Sequence, residues 1–241
     1  MAGAYKALVA ESSNKEAGMT TAIIGIGNIG GPLARHLASG GEPVVLAAKD
    51  EANATAFAQE LGEQARAASV EEAIAEADTV VFAVWLDTIK ELISKDKDLL
   101  EGKVIIDPSN PIGLDENGEM TRTLPNDQSA GSVVAAALPT GAQYVKAFGT
   151  LAADSLARGA NREPRRAVLF YATDETAAAT TIERLISAAG FDPLKVGGVD
   201  DAARIEVPGG DLHQNGGLNG QLLDLDQART AVAADPTPAA T

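Results

Sequence analysis

Short aliphatic runs alternate along the chain with segments in which apolar positions recur every three or four residues. Residues 20–24 form an apolar run that stops at a glycine, and Ile29, Leu33 and Leu37 then return at helical spacing. Pro32 falls in the first turn of that predicted helix, where its missing N–H costs nothing, and Gly40-Gly41 ends it. A second strand is expected over 44–47. A helix follows over 51–61, with Phe57 and Leu61 four apart and Gly62 as its cap. Residues 65–67 read as a short strand and 70–77 as an acidic helix. The run 79–84 is the most apolar, the pattern of a strand covered on both faces, and 103–106 repeats it. This alternation predicts an α/β fold, a Rossmann-type doubly wound parallel sheet with a small C-terminal α/β extension.

Beyond residue 107 the pattern loosens. Pro108, Pro111, Gly113, Asn117, Gly118 and Pro125 make 108–128 a loop by composition. A helix over 129–137, a strand over 144–147, a polar loop over 159–166 and a strand over 167–171 are expected next. Asp174 reads as the cap of a helix running to Ala189, with Ile182, Leu185 and Ile186 inward and Gly190 closing it. Residues 191–196 read as a last strand. From Pro208 the chain is glycine-rich and reads as flexible, leading to an amphipathic segment with Leu218, Leu222 and Leu225 in register. Residues 1–18 are expected to be a disordered leader and 235–241 a disordered tail.

The core must be aliphatic, since 45% of the residues are hydrophobic and only 4% aromatic. A formal charge of −15 argues against nucleic acid and anionic membrane as partners, and no apolar run approaches the roughly 18 residues of a membrane span. With no cysteine there are no disulfides, thiolate metal sites or cysteine nucleophiles. A cytoplasmic location is expected, because the first residues carry charges and lack the apolar stretch of a signal peptide.

The candidate chemistry starts at Gly25-Ile26-Gly27-Asn28-Ile29-Gly30. Glycines in this pattern recur by chance, but here they follow a strand and open a helix, the context a dinucleotide loop requires. Gly25 permits the tight turn, Gly27 lets backbone approach a pyrophosphate, and Gly30 lets helix and strand pack closely. The helix start favours the anion. At the end of the second strand stands Ala47-Ala48-Lys49-Asp50, where a carboxylate would bind the ribose 2′-hydroxyl of NAD. The strand end is small and neutral and Lys49 is cationic, so NADP(H) is the expected cofactor. Asp50 is open to two roles, neutralising Lys49 or serving the ribose itself. On this reading 19–140 is an NADP-binding Rossmann domain, 141–207 a small α/β part, and 208–241 a glycine-rich segment with a helix and tail.

These residues, with Ile106-Asp107-Pro108-Ser109-Asn110-Pro111 and Tyr144-Val145-Lys146-Ala147-Phe148, resemble the deazaflavin-dependent NADP oxidoreductase family in order and spacing. They are also similar to the cytosolic NADPH domain of the six-transmembrane metalloreductases. The likeness covers 20–206, with Ala188-Ala189-Gly190-Phe191-Asp192-Pro193 extending it. It implies hydride transfer between NADP(H) and a flavin or deazaflavin co-substrate. It places Val84 and Trp85 beside the cofactor, Asn110 after the fifth strand, and Ala147 and Phe148 near the nicotinamide. It also implies a homodimer. Trp85 stands where many relatives have proline, and Gly149 where the metalloreductases have asparagine.

Trp85 reads either as a stacking wall for a ring or as a core filler with a wet edge. Phe148 carries the same two readings, as a substrate contact or as packing. His36 reads as structural. His213, in the glycine-rich segment, is a weak candidate for catalysis or for closing over a substrate, against a solvated loop residue. No metal site is expected, and Asp224 and Asp226 read as a solvated helix face. A reductase of a small C=O or C=N substrate would need His213, Tyr171 or Lys146 as proton donor. A third possibility is an NADP(H)-sensing protein without catalysis.

Overall fold

In the computed structural model, which describes residues 19–234, the aliphatic runs become strands because branched side chains suit a pleated surface covered on both faces. The strands are β1 (Thr21–Ile24), β2 (Val44–Ala47), β3 (Ala65–Ala67), β4 (Thr79–Phe82), β5 (Val104–Asp107), β6 (Ile112–Leu114), β7 (Met120–Arg122), β8 (Gln143–Lys146), β9 (Val168–Ala172) and β10 (Asp192–Gly197). The helices, in chain order, are α1 (Gly30–Ser39), α2 (Glu51–Leu61), α3 (Val70–Glu76), α4 (Leu86–Lys95), α5 (Ala130–Ala137), α6 (Ala153–Arg158), α7 (Thr176–Ala188) and α8 (Leu225–Ala233). The expected leader over 1–18 and tail over 235–241 lie outside the described residues.

Eight strands form one sheet in the order β10-β9-β8-β5-β4-β1-β2-β3. From β3 to β8 the neighbours are parallel, so the carboxyl ends of β1, β2, β4, β5 and β8 share one edge. The Rossmann-type expectation holds, with one departure. β9 is antiparallel to β8, meeting it at Lys146 and Ala172, and β10 runs parallel to β9. Residues 147–167 join β8 to β9 and hold one short helix, α6.

Helices cover both faces. On one, Leu33 and Leu37 of α1 and Ile182, Leu185 and Ile186 of α7 pack on Ile23, Val81, Ile106 and Val145. On the other, Ile74 of α3, Ile89 and Ile93 of α4 and Val134 of α5 pack on Val80, Phe82, Ile105 and Tyr144. The second face of β9 is closed by Ile205, Leu212 and Ala228.

Several local expectations change. Within 108–128, read as loop, β6 and β7 form a hairpin, because Asp115 closes a turn by accepting from the N–H groups of Asn117 and Glu119 while Gly118 takes a positive φ. α4 and α6 were not legible as helices, although Leu86, Ile89 and Ile93 have the right spacing. Asp174 does not cap α7; Glu175 holds that position, and Asp174 accepts from Val199 N instead. Leu218 and Leu222 precede any helix, since α8 starts at Leu225. Asp224 is its N-cap and, 15% exposed, pairs with Arg165 rather than standing solvated, whereas Asp226 meets the same arginine and is solvated as expected, 75% exposed. The glycine-rich segment is not a loose loop: Leu212, His213 and Gln214 are buried. No helix among the described residues is long and apolar enough to cross a membrane.

Candidate functional site

The glycine loop leaves β1 and turns directly into α1. Gly25 has φ +95, and its N–H donates to Ala47 O at 2.8 Å, tying the turn to the end of β2. A Cβ there would lie 2.5 Å from Ala83 O, and one at Gly30 would lie 1.9 Å from Gly25 O. Gly27 differs. A Cβ there would meet nothing within 4 Å, so the main chain between the two packed glycines faces open space. Asn28 and Ile29 complete the loop, with Ile29 at the N-cap of α1 and no side chain capping the helix. The first N–H groups of a helix have no partner within it, and here no protein carboxylate takes them. The site fits a pyrophosphate.

An open cleft of ≈ 780 Å³ reaches this loop along α1, lined among others by Gly27, Asn28, Gly31, Arg35, Phe57 and Asp154. Arg35 lies over the Phe57 ring at 4.7 Å and holds Glu60 with two hydrogen bonds, so its charge is already met. Lys49, Trp85 and Asn110 do not line that cleft. They stand at the ends of β2, β4 and β5, where a dinucleotide extended over the edge would run.

Lys49 is exposed and has no ion pair among the described residues. Of the two roles left open for Asp50, neutralising Lys49 is not seen, since the two make no ion pair, and its carboxylate instead caps α2. It accepts from Ala52 N at 3.0 Å, Asn53 N at 3.3 Å and Asn53 Nδ2 at 3.0 Å. At the end of β4, Val84 packs its Cγ1 toward Gly25, and Trp85 is 51% exposed at the N-cap of α4. Exposure on that scale does not fit a core filler.

The ends of β5 and β8 hold a buried polar network that sequence reasoning missed. Asp107 accepts from Tyr144 OH at 2.7 Å, from Lys146 Nζ at 3.1 Å and from Ser109 N at 2.7 Å. Lys146, 1% exposed, also meets Glu206 Oε1 at 3.1 Å and donates to Ser109 O. Burial alone would lower the Lys146 pKa, but Asp107 and Glu206 more than reverse this and hold the ammonium above its ordinary value. Burial, reinforced by Asp107, pushes the Tyr144 phenol well up. The available signal was an aspartate and a lysine closing otherwise apolar strands. Glu206 gave none.

Asn110 extends the network. Its Nδ2 donates to Gly149 O at 3.2 Å, and its Oδ1 accepts from Val207 N at 2.8 Å. Gly149 is required by close approach, since a Cβ would lie 2.2 Å from Pro108 O. Residues 206–214 thus form a strap across the strand ends. His213 Nε2 meets Gly149 O at 3.0 Å, and Gln214 N donates to Thr150 O at 2.9 Å. Because His213 Nδ1 accepts from Asn215 N, its proton sits on Nε2. Burial lowers its pKa to about 4, partly opposed by the Gly149 bond and aided by the Lys146 charge. With both nitrogens engaged and the neutral form favoured, His213 is a strap anchor rather than a catalytic or substrate-closing group.

Ala147 lies buried at the end of β8, and Phe148 at φ +65 turns its ring into the core beside Leu151, Leu156 and Leu169. Its expected substrate contact is therefore replaced by packing. His36 is structural as expected, meeting Leu156 O at 3.0 Å and the edge of Phe191.

Residues 20–111, from the first strand through Asn110-Pro111, match the family described as NADP oxidoreductase, coenzyme F420-dependent. The Metalloreductase STEAP3 of Rattus norvegicus is 29% identical over 185 residues, 77% of this chain, and the chain spans 35% of that protein's length. A hypothetical protein from Sinorhizobium meliloti has a similar structure, with 28% identity, a TM-score of 0.72, and coverage of 86% of this chain and 95% of its own. An Arthrobacter protein proposed to be an F420-dependent NADP reductase follows at 25% identity and a TM-score of 0.66, covering 77% and 87%. Both resemblances drawn from the sequence hold: the chain is similar over residues 20–111 to the F420-dependent NADP oxidoreductases and over 185 residues to a metalloreductase.

Proposed function

We propose, with that kinship as premise, that the chain binds NADP(H) across the carboxyl ends of β1, β2, β4 and β5 and exchanges hydride with a flavin or deazaflavin ring. The observation that carries the cofactor reading is the division of labour at the end of β2. Asp50 is spent on capping α2, which leaves Lys49 free beside a neutral strand end. Lys49 meets a 2′-phosphate, while the backbone from Gly27 to Gly30 receives the pyrophosphate at the start of α1. Bound there, the nicotinamide supplies or accepts the hydride, and the flavin-type ring is its counterpart.

The chain's own contribution is alignment. Trp85 presents an exposed indole beside the cofactor path and forms a wall on which a flat acceptor can stack. A reductase of C=O or C=N substrates is less well served. His213 is neutral and doubly bonded, Tyr171 donates to Glu183 and has its pKa raised, and Lys146 is held between two carboxylates. None is placed to give a proton to substrate. The test is loss of NADPH absorbance on mixing with FMN and with a 5-deazaflavin. No turnover with either ring would overturn the acceptor reading. A homodimer, proposed from the family likeness alone, is tested by sedimentation.

A further inference from the structure

A lysine ending a core strand is costly unless its charge is met. Lys146 stands opposite Asp107 in the β5–β8 register, and its ammonium lies 3.1 Å from both Asp107 Oδ2 and Glu206 Oε1. Glu206 in turn takes the N–H groups of Ala130 and Gly131, at 2.9 and 2.8 Å, where α5 begins. Two carboxylates and one ammonium leave an excess negative charge, which the start of α5 offsets. Apolar side chains of similar volume often match such a set in stability, so stability alone is a weak reason for it.

Apolar side chains could not hold the main chain beyond β5. Asp107 accepts from Ser109 N, and Lys146 donates to Ser109 O, so both polar groups of that residue's backbone are fixed by the charged set. Asn110 is held from the other side by Val207 N and Gly149 O. Glu206 and Val207 are adjacent, so one short stretch of the strap secures both residues.

We propose that Asp107, Lys146 and Glu206 are positioning residues that keep the Ser109-Asn110 turn, the floor beneath the nicotinamide end of the cofactor, in register with the glycine loop. The proposal rests on the reading that NADP(H) lies across these strand ends. The charges touch no reacting atom. They act through the turn, and a misplacement of about 1 Å at such a floor costs hydride transfer up to about a hundredfold.

The test is the charge-free triple variant Asp107→Asn, Lys146→Met, Glu206→Gln, with NADPH affinity followed by fluorescence and turnover measured with FMN or a 5-deazaflavin. The expected result is a folded protein with NADPH Kd within about threefold of the unmodified chain, because the glycine loop and Lys49 are untouched. Its kcat falls about tenfold or more, and the isotope effect with NADPH deuterated at C4 rises. A folded triple variant with unchanged kcat and isotope effect overturns the proposal. If the triple variant does not fold, Glu206→Gln alone carries the test. It keeps an acceptor for Lys146, and an unchanged kcat there overturns the proposal equally. Failure of the underlying reading looks different: the unmodified protein would not bind NADPH, or would bind it without turnover. In the second case the emission maximum of bound NADPH is the readout, expected to move toward that of free NADPH in the variant, and an unmoved maximum is the overturning result.

Discussion

Acidification should loosen the strap, and His213→Gln should remove most of that response. His213 is 2% exposed, and its pKa is lowered to about 4 from an ordinary 6.5. The unfolded chain therefore binds a proton below pH 6.5 that the folded chain refuses until near pH 4. By linkage this stability is fully present above pH 6.5 and is lost as the pH falls toward 4. The gap converts to about 3 kcal/mol in full, and to about 2 kcal/mol between pH 7 and pH 5. In His213→Gln the side-chain amide can still donate to Gly149 O, but the bond from Asn215 N is lost and nothing titrates. That fixed cost applies equally at both pH values and cancels. Urea unfolding of both proteins at pH 7 and pH 5 gives the comparison, with the unmodified chain losing about 2 kcal/mol more than the variant. Equal losses, within about 0.5 kcal/mol, would show that the histidine is solvated or protonated in the folded protein and that the strap is not anchored as described.

Lys49→Ala should weaken NADPH binding about tenfold while changing NADH binding less than about twofold; equal weakening in titrations of both cofactors would place the 2′-phosphate elsewhere. Gly30→Ala places a methyl 1.9 Å from Gly25 O and 2.9 Å from Ala83 Cβ. It should cost about 1–3 kcal/mol in denaturant unfolding and also weaken NADPH, and a neutral result would mean that the helix does not pack this closely on β4. Asp224→Ala removes the cap of α8 and a partner of Arg165, and should lower stability by about 1 kcal/mol without altering NADPH affinity.

The nucleotide half of the molecule was legible because its signals are local. The strand–glycine–helix order around Gly25, the neutral end of β2 and the cationic Lys49 lie within a short stretch of chain, and helical or strand periodicity suffices to place them. The strap was illegible for the opposite reason. Glycines at 209, 210, 216, 217 and 220 read as flexibility, whereas they serve tight turns that press His213 and Gln214 against residues more than fifty positions earlier. Phe148 shows a second limit. Its place in a motif suggested contact with a ring, but a positive φ, invisible to side-chain patterning, turns it inward. The reversal of β9 left no mark in the periodicity, because a strand's apolar pattern is the same in either direction, and α6 is too short to leave a clear period.

The strap also dictates an order of assembly. Its bonds join Glu206 to Ala130, Val207 to Asn110 and His213 to Gly149, pairs separated by 76, 97 and 64 positions. Chain closures that long form late and slowly. A growing chain can complete the glycine loop and Lys49 early in synthesis, but the floor at Ser109 and Asn110 must wait for residues beyond 206. The residues proposed to grip the nucleotide are therefore made well before those that would fix the floor proposed to lie beneath the nicotinamide.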